Sequence, residues 1–598
     1  MKKQNDIQQI TKAKGRPMLT WVGKHPLERV EWYPAQEKEV YGVKNSTEFN
    51  KLFWGDNLQV LSHLLKDYRS KIDLIYIDPP FDSKADYVKK VKIRGEKVEG
   101  QQQNLLEEKQ YTDIWENDEY LQFMYERLLI MKELLSDKGS IYLHCDWHKS
   151  HHLRTMLDEV FGEQNFRNEI VWYYPDKFAT GGKSLDKNHD LILHYSKGST
   201  FLGNEVRISK PEATRRALRK KENGKTINVL DEQGNKIYAE YTDKRVDDVW
   251  EIGRSIANSD YTDYPTQKKE ELLQRIVEYG SNKGDLVADF FVGSGTTLAA
   301  SQRLGRKWIG CDINIGAIQT SIKRLAQIIE EHEKTNHKLI KDDFKGSMAF
   351  KIYNVNDYDI FKNEIEAKEI VMEMYGVEPV KRSQFDGVLD NKFVKIMPLN
   401  KVLNKLDIKT VLKNIEDAID SFTPKTTSKG SEEIYEEGVI IICSGAELDA
   451  DDFLKKENKT GVKVVIRDIL NDKKSLIFKR KPEARIEVKI KDKKLSVVIK
   501  EFYSPILMRK LELENEKVVD KKTQAKVEDF KQIIDSVALD VDYDGKLFNA
   551  EIIDLPDKKR LIKAEYSYTY EKSGKNTVAI KIVDVLGEEY FETFEVKT

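Results

Sequence analysis

The chain has 598 residues, of which 39% are hydrophobic and 34% are charged, and its formal net charge is −2. This length exceeds what one hydrophobic core usually supports, so we expect two to four domains, and the nearly neutral charge means that any attraction for a polyanion must come from a local patch. The sequence has no long apolar run, which argues against a membrane span, and its polar amino end argues against a secretory signal. Its three cysteines are widely separated, which argues against disulfides and a zinc site. We therefore expect a cytoplasmic protein.

Strand-like and helical runs alternate after an amino-terminal arm, residues 1–50. The predicted strands are 72–77, 140–144, 169–173, 190–195, 286–290 and 308–312, and the predicted helices are 119–135, 150–161, a helix from 296, and 318–331. This alternation predicts a Rossmann-like, doubly wound α/β fold with a parallel sheet. We place the α/β domain at residues 51–345, because all eight tryptophans precede residue 309.

The alternation is lost in residues 198–262, which we interpret as an insertion in the α/β domain. Its first part is basic, with only Glu212 and Glu222 opposing eight Lys and Arg side chains. Such a run suits contacts with phosphates, although a solvated helix face is the alternative interpretation. The candidates for these contacts are Arg207, Arg215, Arg216, Arg219, Lys220 and Lys221.

Two further units are predicted beyond residue 345. Residues 346–430 contain a helical segment and a turn followed by a strand at 392–396, which indicates a small α/β unit. A polar linker then precedes alternating runs such as 486–490 and 578–582. Because period-two alternation is typical of half-buried strands, we predict a β-rich carboxyl-terminal domain at residues 431–598.

The segment Asp289-Phe-Phe-Val-Gly-Ser-Gly-Thr-Thr297 joins a predicted strand to a predicted helix. Gly293 and Gly295 allow a ligand to approach the backbone closely, and a helix start offers unpaired N–H groups to an anion. The next strand ends in Asp312, which is placed to accept hydrogen bonds from ribose hydroxyls. A lone Gly-x-Gly would indicate only a tight turn, but the flanking elements together with Asp312 favour a nucleoside site.

A second turn, Asp78-Pro79-Pro80-Phe81, follows the apolar strand 72–77. Open α/β sheets bind ligands at this end of their strands, and two prolines hold the neighbouring carbonyls rigidly as acceptors. Asp78 and the carbonyl of Pro79 would each accept one N–H of an exocyclic amine, and Phe81 would stack on the base. An ordinary loop is the alternative for this turn alone, but the two turns together favour methylation of an amine.

These two turns resemble those of the DNA amino-methyltransferases, specifically the β class, in which Asp-Pro-Pro-Phe precedes Phe-x-Gly-x-Gly. Further segments look like the same family in the same order, so the resemblance covers about residues 50–330. It implies that Asp78, Pro79, Pro80 and Phe81 carry catalysis. It also implies a set of residues for S-adenosylmethionine: Asp56, Asn57, Thr266, Lys268, Asp289, Phe291, Gly293, Gly295, Thr296 and Asp312. Lys269 departs from the family, which often has proline there.

The resemblance also implies the substrate and partners. Aspartate as the first residue of the tetrapeptide implies the N6 amine of adenine in a flipped base, and cytosine N4, for which serine is typical, is the alternative. The basic insertion corresponds to the family's target-recognition region, which implies double-stranded DNA as partner. The length and the carboxyl-terminal extension resemble the modification subunit of Type III restriction–modification systems, which implies a helicase-nuclease partner, and we expect a homodimer.

Other interpretations stay open beside this one. The chain would act mainly as a DNA-recognition subunit for a restriction partner if its own catalysis were secondary, whereas methylation of RNA or of a protein amide ranks lower. Two groups of residues suggest metal sites, and we expect no metal at either. These are the nuclease-like set Glu366, Glu369, Asp386 and Lys395, where Phe393 replaces a needed acid, and the cluster His144, His148, His151 and His152, which lies beside a predicted helix start.

Overall fold

A computed structural model describes residues 7–9, 18–27, 29–42, 48–80, 86–91, 106–112, 119–176, 185–222, 224–254, 262, 264, 266–335, 348–355, 368, 371–372, 375–380, 384–389, 392–397, 403–419, 422, 424–425, 434–435, 438–443, 450–468, 482–516, 526–556 and 560–597. The chain forms two compact units. Unit 1 comprises Met1–Asn356, Arg485–Glu501 and Lys510–Thr598, and unit 2 comprises Asp357–Ala484 and Phe502–Arg509.

The strands before residue 356 are β1 (Ile7–Gln9), β2 (Arg29–Glu31), β3 (Ala35–Tyr41), β4 (Asn50–Trp54), β5 (Ile72–Ile77), β6 (Asp86–Val91), β7 (Leu106–Thr112), β8 (Leu135–Cys145), β9 (Phe166–Tyr173), β10 (His189–Ser196), β11 (Arg207–Ala217), β12 (Arg219–Glu222), β13 (Lys225–Asn228), β14 (Tyr238–Arg245), β15 (Val249–Glu251), β16 (Leu286–Asp289), β17 (Lys307–Asp312) and β18 (Phe350–Val355).

The later strands are β19 (Glu378–Pro379), β20 (Gly387–Leu389), β21 (Lys392–Ile396), β22 (Pro424–Lys425), β23 (Ile434–Tyr435), β24 (Gly438–Cys443), β25 (Lys463–Asp468), β26 (Glu483–Lys491), β27 (Lys494–Tyr503), β28 (Ile534–Asp540), β29 (Phe548–Asn549), β30 (Ile552–Asp554), β31 (Glu565–Thr569), β32 (Lys575–Asp584) and β33 (Glu589–Lys597). The α-helices are α1 (Asn57–Tyr68), α2 (Glu119–Leu134), α3 (Ser150–Phe161), α4 (Glu270–Gly280), α5 (Thr296–Arg303), α6 (Ile315–Thr335), α7 (Lys405–Asp417), α8 (Ala450–Glu457) and α9 (Pro505–Glu516).

An eleven-stranded sheet forms the centre of unit 1, in the order β15-β9-β10-β8-β5-β16-β17-β4-β18-β3-β29. Its middle strands, from β8 to β18, run parallel. Along β5, Ile75 and Ile77 pack in one core with residues of α1, α2 and α3, whereas Leu74 and Tyr76 pack in another with residues of α4. Because successive residues of a strand face opposite sides, helices cover both faces of the sheet, which confirms the Rossmann-like α/β fold.

One predicted strand, 190–195, runs in the unexpected direction. It lies within β10, which is antiparallel to both of its neighbours, β8 and β9. The prediction of an entirely parallel sheet was therefore wrong at this strand. The apolar run in β10 predicts a buried strand, and Leu193 and Tyr195 are fully buried. Burial on both faces is compatible with either strand direction, so the run does not predict the direction.

The central sheet also extends beyond the predicted bounds of the α/β domain. β18 lies beyond residue 345 and joins the sheet beside β4, and β3, which lies in the predicted arm 1–50, pairs with β18. Within the predicted insertion 198–262, β11 and β14 form one antiparallel hairpin, β12 and β13 form another, and β15 returns to the sheet beside β9.

Unit 2 contains a five-stranded sheet in the order β19-β20-β21-β24-β25. The predicted boundary at residue 430 differs from this arrangement, because β24 pairs in parallel with β21 on the other side of that boundary, and β25 pairs in parallel with β24. Ile408, Val411 and Ile415 of α7 pack with Val439 and Ile441 of β24 in one core. The strands on the two sides of residue 430 therefore belong to one sheet.

The last strands of the chain belong to unit 1. β28, β30, β32 and β33 form a four-stranded antiparallel sheet, and β29 adds to the edge of the central sheet beside β3. Lys323 of α6 lies 3.3 Å from Asp535 of β28, and Gln319 of α6 donates a hydrogen bond to the carbonyl of Gly587. None of the described helices has both the length and the apolar character needed to cross a bilayer.

Candidate active site

Four parallel strands bring the predicted site residues to one edge of the central sheet. Val287 and Ala288 of β16 pair with Leu74 and Ile75 of β5, so Asp78 and Asp289 leave the sheet side by side. β17 and β4 follow on the other side of β16 and end before Ile313 and Gly55. The Asp-Pro-Pro turn and the glycine turn, more than two hundred residues apart in sequence, therefore share the carboxyl edge, where open α/β sheets bind ligands.

Asp78 has only 16% of its side chain exposed, and its two oxygens have different environments. Oδ2 accepts a hydrogen bond from the Nζ of Lys268. Oδ1 is buried and accepts no hydrogen bond from the described residues, and it lies 3.7 Å from Nδ1 of His144. Pro79 is buried and Pro80 is half-buried, whereas Phe81 lies outside the described residues.

A chain of buried polar side chains lies behind Asp78. The hydroxyl of Tyr76 and Nδ1 of His144 are 2.9 Å apart, and Nε2 of His144 lies 3.3 Å from Oδ2 of Asp190. Tyr174 donates a hydrogen bond to Oδ1 of Asp190. Burial by itself would raise the pKa of Asp190, but the contacts with His144 outweigh it and hold the pKa below its usual value. Asp190 therefore stays a carboxylate that orients the His144 ring.

The glycine turn needs its two glycines. Gly293 and Gly295 have φ angles of 51° and 75°, which other residues rarely adopt. A Cβ on Gly295 would lie 2.7 Å from Oγ of Ser321, and one on Gly293 would lie 3.2 Å from the ring of Tyr264. The turn is thus held closely between Tyr264 and α6, and any larger residue would displace it.

Two carboxyl groups, those of Asp289 and Asp312, accept hydrogen bonds from the glycine turn. Asp289 accepts hydrogen bonds from the amide of Phe291 and the hydroxyl of Thr297, and Asp312 accepts one from the amide of Gly293 at 2.8 Å. Burial raises the pKa of Asp289 to about 7 and that of Asp312 to about 6. Since both carboxyl groups accept hydrogen bonds from backbone amides of the glycine turn, they fix the path of its backbone.

The other proposed cofactor residues differ in what their side chains contact. Thr296 begins α5, but its hydroxyl is buried and accepts a hydrogen bond from Arg324 at 2.9 Å. Phe291 is half-buried and lies edge-on to Phe123. Thr266 is half-buried, and Lys268 reaches Asp78 across the edge. Lys269 precedes α4 with a φ of −68°, the angle that proline imposes, so the departure from the family leaves the backbone of this loop suitable.

Asp56 and Asn57 hold a buried arginine, Arg127, which the sequence alone did not single out. Asp56 caps α1 and accepts a hydrogen bond from Arg127 at 3.0 Å, and Oδ1 of Asn57 accepts another from the same guanidinium. Nδ2 of Asn57 donates to the carbonyl of Phe290, just before the glycine turn. Both residues therefore support the site through Arg127 and the backbone. An Asp-Asn pair at a helix start together with an arginine in the next helix was the available signal.

The basic residues of the insertion lie on its two hairpins. Arg215, Arg216, Arg219, Lys220 and Lys221 are all exposed. Arg207 differs from them, because its guanidinium donates to both carboxylate oxygens of Asp243 and to Glu205. Lys220 pairs with Glu222 at 3.2 Å. The hairpins thus present a cationic surface to which Arg207 adds little charge.

The suspected metal sites have other contacts where the structure describes them. In unit 2, Asp386 accepts a hydrogen bond from the amide of Ile396 at 2.7 Å and pairs with Lys368, while Glu366 and Glu369 lie outside the described residues. His148 pairs with Asp146 at 2.6 Å. Among the described residues, no group of three or more His, Cys, Asp or Glu side chains is arranged to hold a metal ion.

Comparisons with known proteins agree with this geometry. Residues 72–323 match the family of N6 and N4 DNA methyltransferases, described as DNA methylase. The chain is 30% identical over 339 residues to the Type II methyltransferase M.EcaI of Enterobacter cloacae, covering 46% of this chain and 69% of that protein. It is 27% identical to the DNA adenine methyltransferase YhdJ of Escherichia coli K12, covering 44% of this chain and 80% of that protein.

A third relative is of another type. The Mod subunit of the Type III restriction-modification enzyme EcoP15I of Escherichia coli is 31% identical over 208 residues, which covers 31% of each protein. All three relatives are similar in sequence to this chain, in which the Asp-Pro-Pro turn and the glycine turn meet at one edge of the central sheet. The chain belongs to the DNA methylase family.

Proposed function

We propose that this protein is a site-specific DNA methyltransferase that transfers a methyl group from S-adenosylmethionine to the N6 amine of adenine. The observation that carries the proposal is the pairing of β5 with β16, because it sets Asp78 beside the glycine turn at one edge of the sheet. A rigid acceptor for an amine next to a nucleoside-binding turn supplies the alignment that methyl transfer requires. Alignment of this kind can contribute roughly 7–11 kcal/mol to catalysis.

The residues at the edge fit S-adenosylmethionine. The carboxylate of Asp312 would accept hydrogen bonds from the ribose hydroxyls. The glycine turn at Gly293 and Gly295 would allow the cofactor to approach the backbone, and Phe291 offers a half-buried ring. When bound, the cofactor supplies an electrophilic methyl group on sulfur. Asp56 and Asn57 would keep this turn in place through Arg127 and the Phe290 carbonyl.

Asp78 and Pro79 would capture the target amine. Oδ1 of Asp78, which accepts nothing from the described residues, and the carbonyl of Pro79 would each accept one N–H, so that the nitrogen lone pair points to the methyl group. Phe81 would stack on the flipped base, which is worth about 1–3 kcal/mol and roughly offsets the few kcal/mol needed to extrude it. Lys268 would stay on Oδ2 and hold the Asp78 side chain in place.

The test is methyl incorporation into duplex DNA by the Asp78→Ala variant. Loss of the amine acceptor should lower the rate of methyl transfer by about 100-fold or more, because misplacement of a reactant by about 1 Å has an effect of this size. Binding of S-adenosylmethionine should change little. Asp285→Asn is a matched control, since Asp285 precedes β16 at the opposite edge of the sheet. Wild-type protein that binds the cofactor but methylates no genomic DNA would contradict the proposal.

Adenine is the proposed base, and cytosine N4 is the alternative. The aspartate at position 78 supports adenine, as does the similarity to an adenine methyltransferase. Digestion of methylated DNA to nucleosides, followed by mass spectrometry, distinguishes N6-methyladenine from N4-methylcytosine. Sequencing the same DNA then gives the recognition sequence, which we propose is read by the two hairpins of residues 207–245.

We further infer that the protein acts in the cytoplasm as a homodimer and serves a restriction partner. The similarity to a Type III Mod subunit supports this, and so does unit 2, which has its own core outside residues 72–323. Light scattering should give the mass of a dimer. Co-purification of the full chain with a helicase-nuclease would support the partner, and an isolated chain with full activity and no binding to such a protein would count against it.

A further inference from the structure

We propose that the target amine loses its proton to Asp78, and that His144, held by Asp190, relays this proton from Asp78 to solvent. The inference rests on the proposed function and adds positioning residues for the same reaction. Oδ1 of Asp78 is buried and has no hydrogen-bond donor among the described residues, and Nδ1 of His144 faces it at 3.7 Å. Contacts between catalytic groups are often long without substrate and shorten when it binds.

The proton balance of the reaction requires such an acceptor. The lone pair of the amine nitrogen forms the new N–C bond, and the pair of the broken C–S bond stays on sulfur. The methylated nitrogen then carries one excess proton and a positive charge. Oδ1 of Asp78 takes this proton, and Nδ1 of His144 receives it in turn. The reaction needs no oxidant or further reactant, and the exocyclic amine of the base becomes a neutral methylated amine.

The surroundings of His144 give the proton an exit. His144 itself is fully buried, but its Nε2 lies 3.3 Å from Asp190, whose side chain is 17% exposed. When Nδ1 gains a proton, Nε2 can give up its own to Oδ2 of Asp190 and hence to water. The hydroxyl of Tyr76, at 2.9 Å from Nδ1, is placed to donate to it, and the relay uses the tautomer with the resting proton on Nε2. Lys268, on the far oxygen of Asp78, and Tyr174, on Asp190, are further charged and titratable groups of the network.

A purely structural histidine of the same sheet provides a contrast. His194 on the adjacent strand β10 is also fully buried, but neither of its ring nitrogens has a hydrogen-bond partner in the described structure. It stacks on Tyr142 with 4.2 Å between ring centroids. A histidine needed only for packing can thus stand without polar contacts here, whereas His144 contacts a phenol on one side and a carboxylate on the other.

The experiment compares His144→Gln, Asp190→Asn and the matched control His194→Gln in the full-length protein. Each variant is assayed for kcat and KM with duplex DNA, for S-adenosylmethionine affinity and for thermal stability. We expect the first two variants to lower kcat by about 10-fold or more, since positioned proton transfer contributes roughly 100-fold or more. KM and cofactor affinity should stay within about twofold. His194→Gln should leave kcat unchanged.

His144→Ala adds a chemical readout that packing alone would not produce. Added imidazole should restore part of the lost kcat in this variant and none in Asp78→Ala. If His144→Gln failed to fold, Asp190→Asn would still decide, because this carboxylate is partly exposed. Wild-type kcat in both His144→Gln and Asp190→Asn would overturn the relay while the methyltransferase function stands. Absence of methyl transfer by the wild-type protein would overturn the proposed function and the relay together.

Discussion

His194 and His144 lie on adjacent antiparallel strands, but the ring of His194 has no hydrogen-bond partner among the described residues. Burial, aided by the nearby charge of Arg167, lowers the pKa of His194 to about 3. In the unfolded chain the same side chain titrates near 6.5. Between these two values the unfolded state binds a proton that the native state does not. The stability contributed by neutral His194 is therefore complete above about pH 6.5 and is lost as the pH falls towards 3.

His194→Phe should reduce the acid sensitivity of unit 1. Phenylalanine can keep the stack on Tyr142 and has no proton to gain. Relative to its own value at pH 7.5, the free energy of unfolding at pH 5.5 should fall by roughly 1.4 kcal/mol less in the variant than in the wild type. Urea unfolding followed by tryptophan fluorescence at several pH values measures this difference. Parallel pH profiles for the two proteins would contradict it.

At the scale of elements, the two hairpins of the insertion combine exposed cations with exposed apolar side chains. Arg216, Arg219 and Lys221 are exposed and make no ion pair with any residue that the structure describes. Tyr238 of β14, and Leu230 between β13 and β14, are about half exposed, at 48% and 53%. Apolar side chains left in water beside unpaired cations are typical of a surface that contacts a polyanionic partner.

Replacing these three cations with glutamine should weaken the salt dependence of DNA binding. Each phosphate contact contributes about 0.9 to the slope of log K against log salt concentration, so the triple variant should lose up to about 2.7. Arg207→Gln is the matched control, because Asp243 and Glu205 already neutralise that side chain, and its slope should change much less. Fluorescence anisotropy with duplex DNA at several salt concentrations gives the slopes. An equal change for Arg207→Gln alone and the triple variant would exclude the hairpins as the phosphate-binding surface.

At the scale of the whole molecule, the end of the chain is part of the same unit as the active site. Lys581 of β32 is buried and lies 2.5 Å from Oε2 of Glu39 on β3. Burial alone would lower the pKa of Lys581, but Glu39 and Tyr41 outweigh it and raise the pKa above its usual range. The ion pair between this buried cation and a carboxylate on another strand makes the two strands depend on each other.

Lys581→Met should destabilise unit 1 more than the double variant Lys581→Met/Glu39→Gln. Removing only the cation leaves a mostly buried carboxylate without its counter-charge, which costs about 3–5 kcal/mol, whereas removing both charges costs much less. Denaturation followed by tryptophan fluorescence reports on unit 1 alone, because all eight tryptophans lie between residues 21 and 308. Equal stability of the single and double variants would show that the ion pair contributes little.

The sequence by itself determined the local elements and the two functional turns. The predicted strand 72–77 and helix 150–161 have the same bounds in the structure. Gly293 and Gly295 were singled out from their spacing, and their positive φ angles explain why no other residue suits that turn. Apolar periodicity, prolines and glycines act on the backbone within a few residues, so such features can be predicted without knowledge of the rest of the chain.

Only the tertiary structure decided strand direction, the membership of the units and the second layer of the site. The antiparallel course of β10, the pairing of β24 with β21 and the addition of β29 to β3 depend on which surfaces meet. The contacts of Asp56 with Arg127, and of His144 with Asp190, join side chains 71 and 46 residues apart. A local pattern specifies that a residue is buried, whereas its partner follows from the packing of distant elements, and this is the physical reason why the supporting network of Asp78 was visible only in the folded chain.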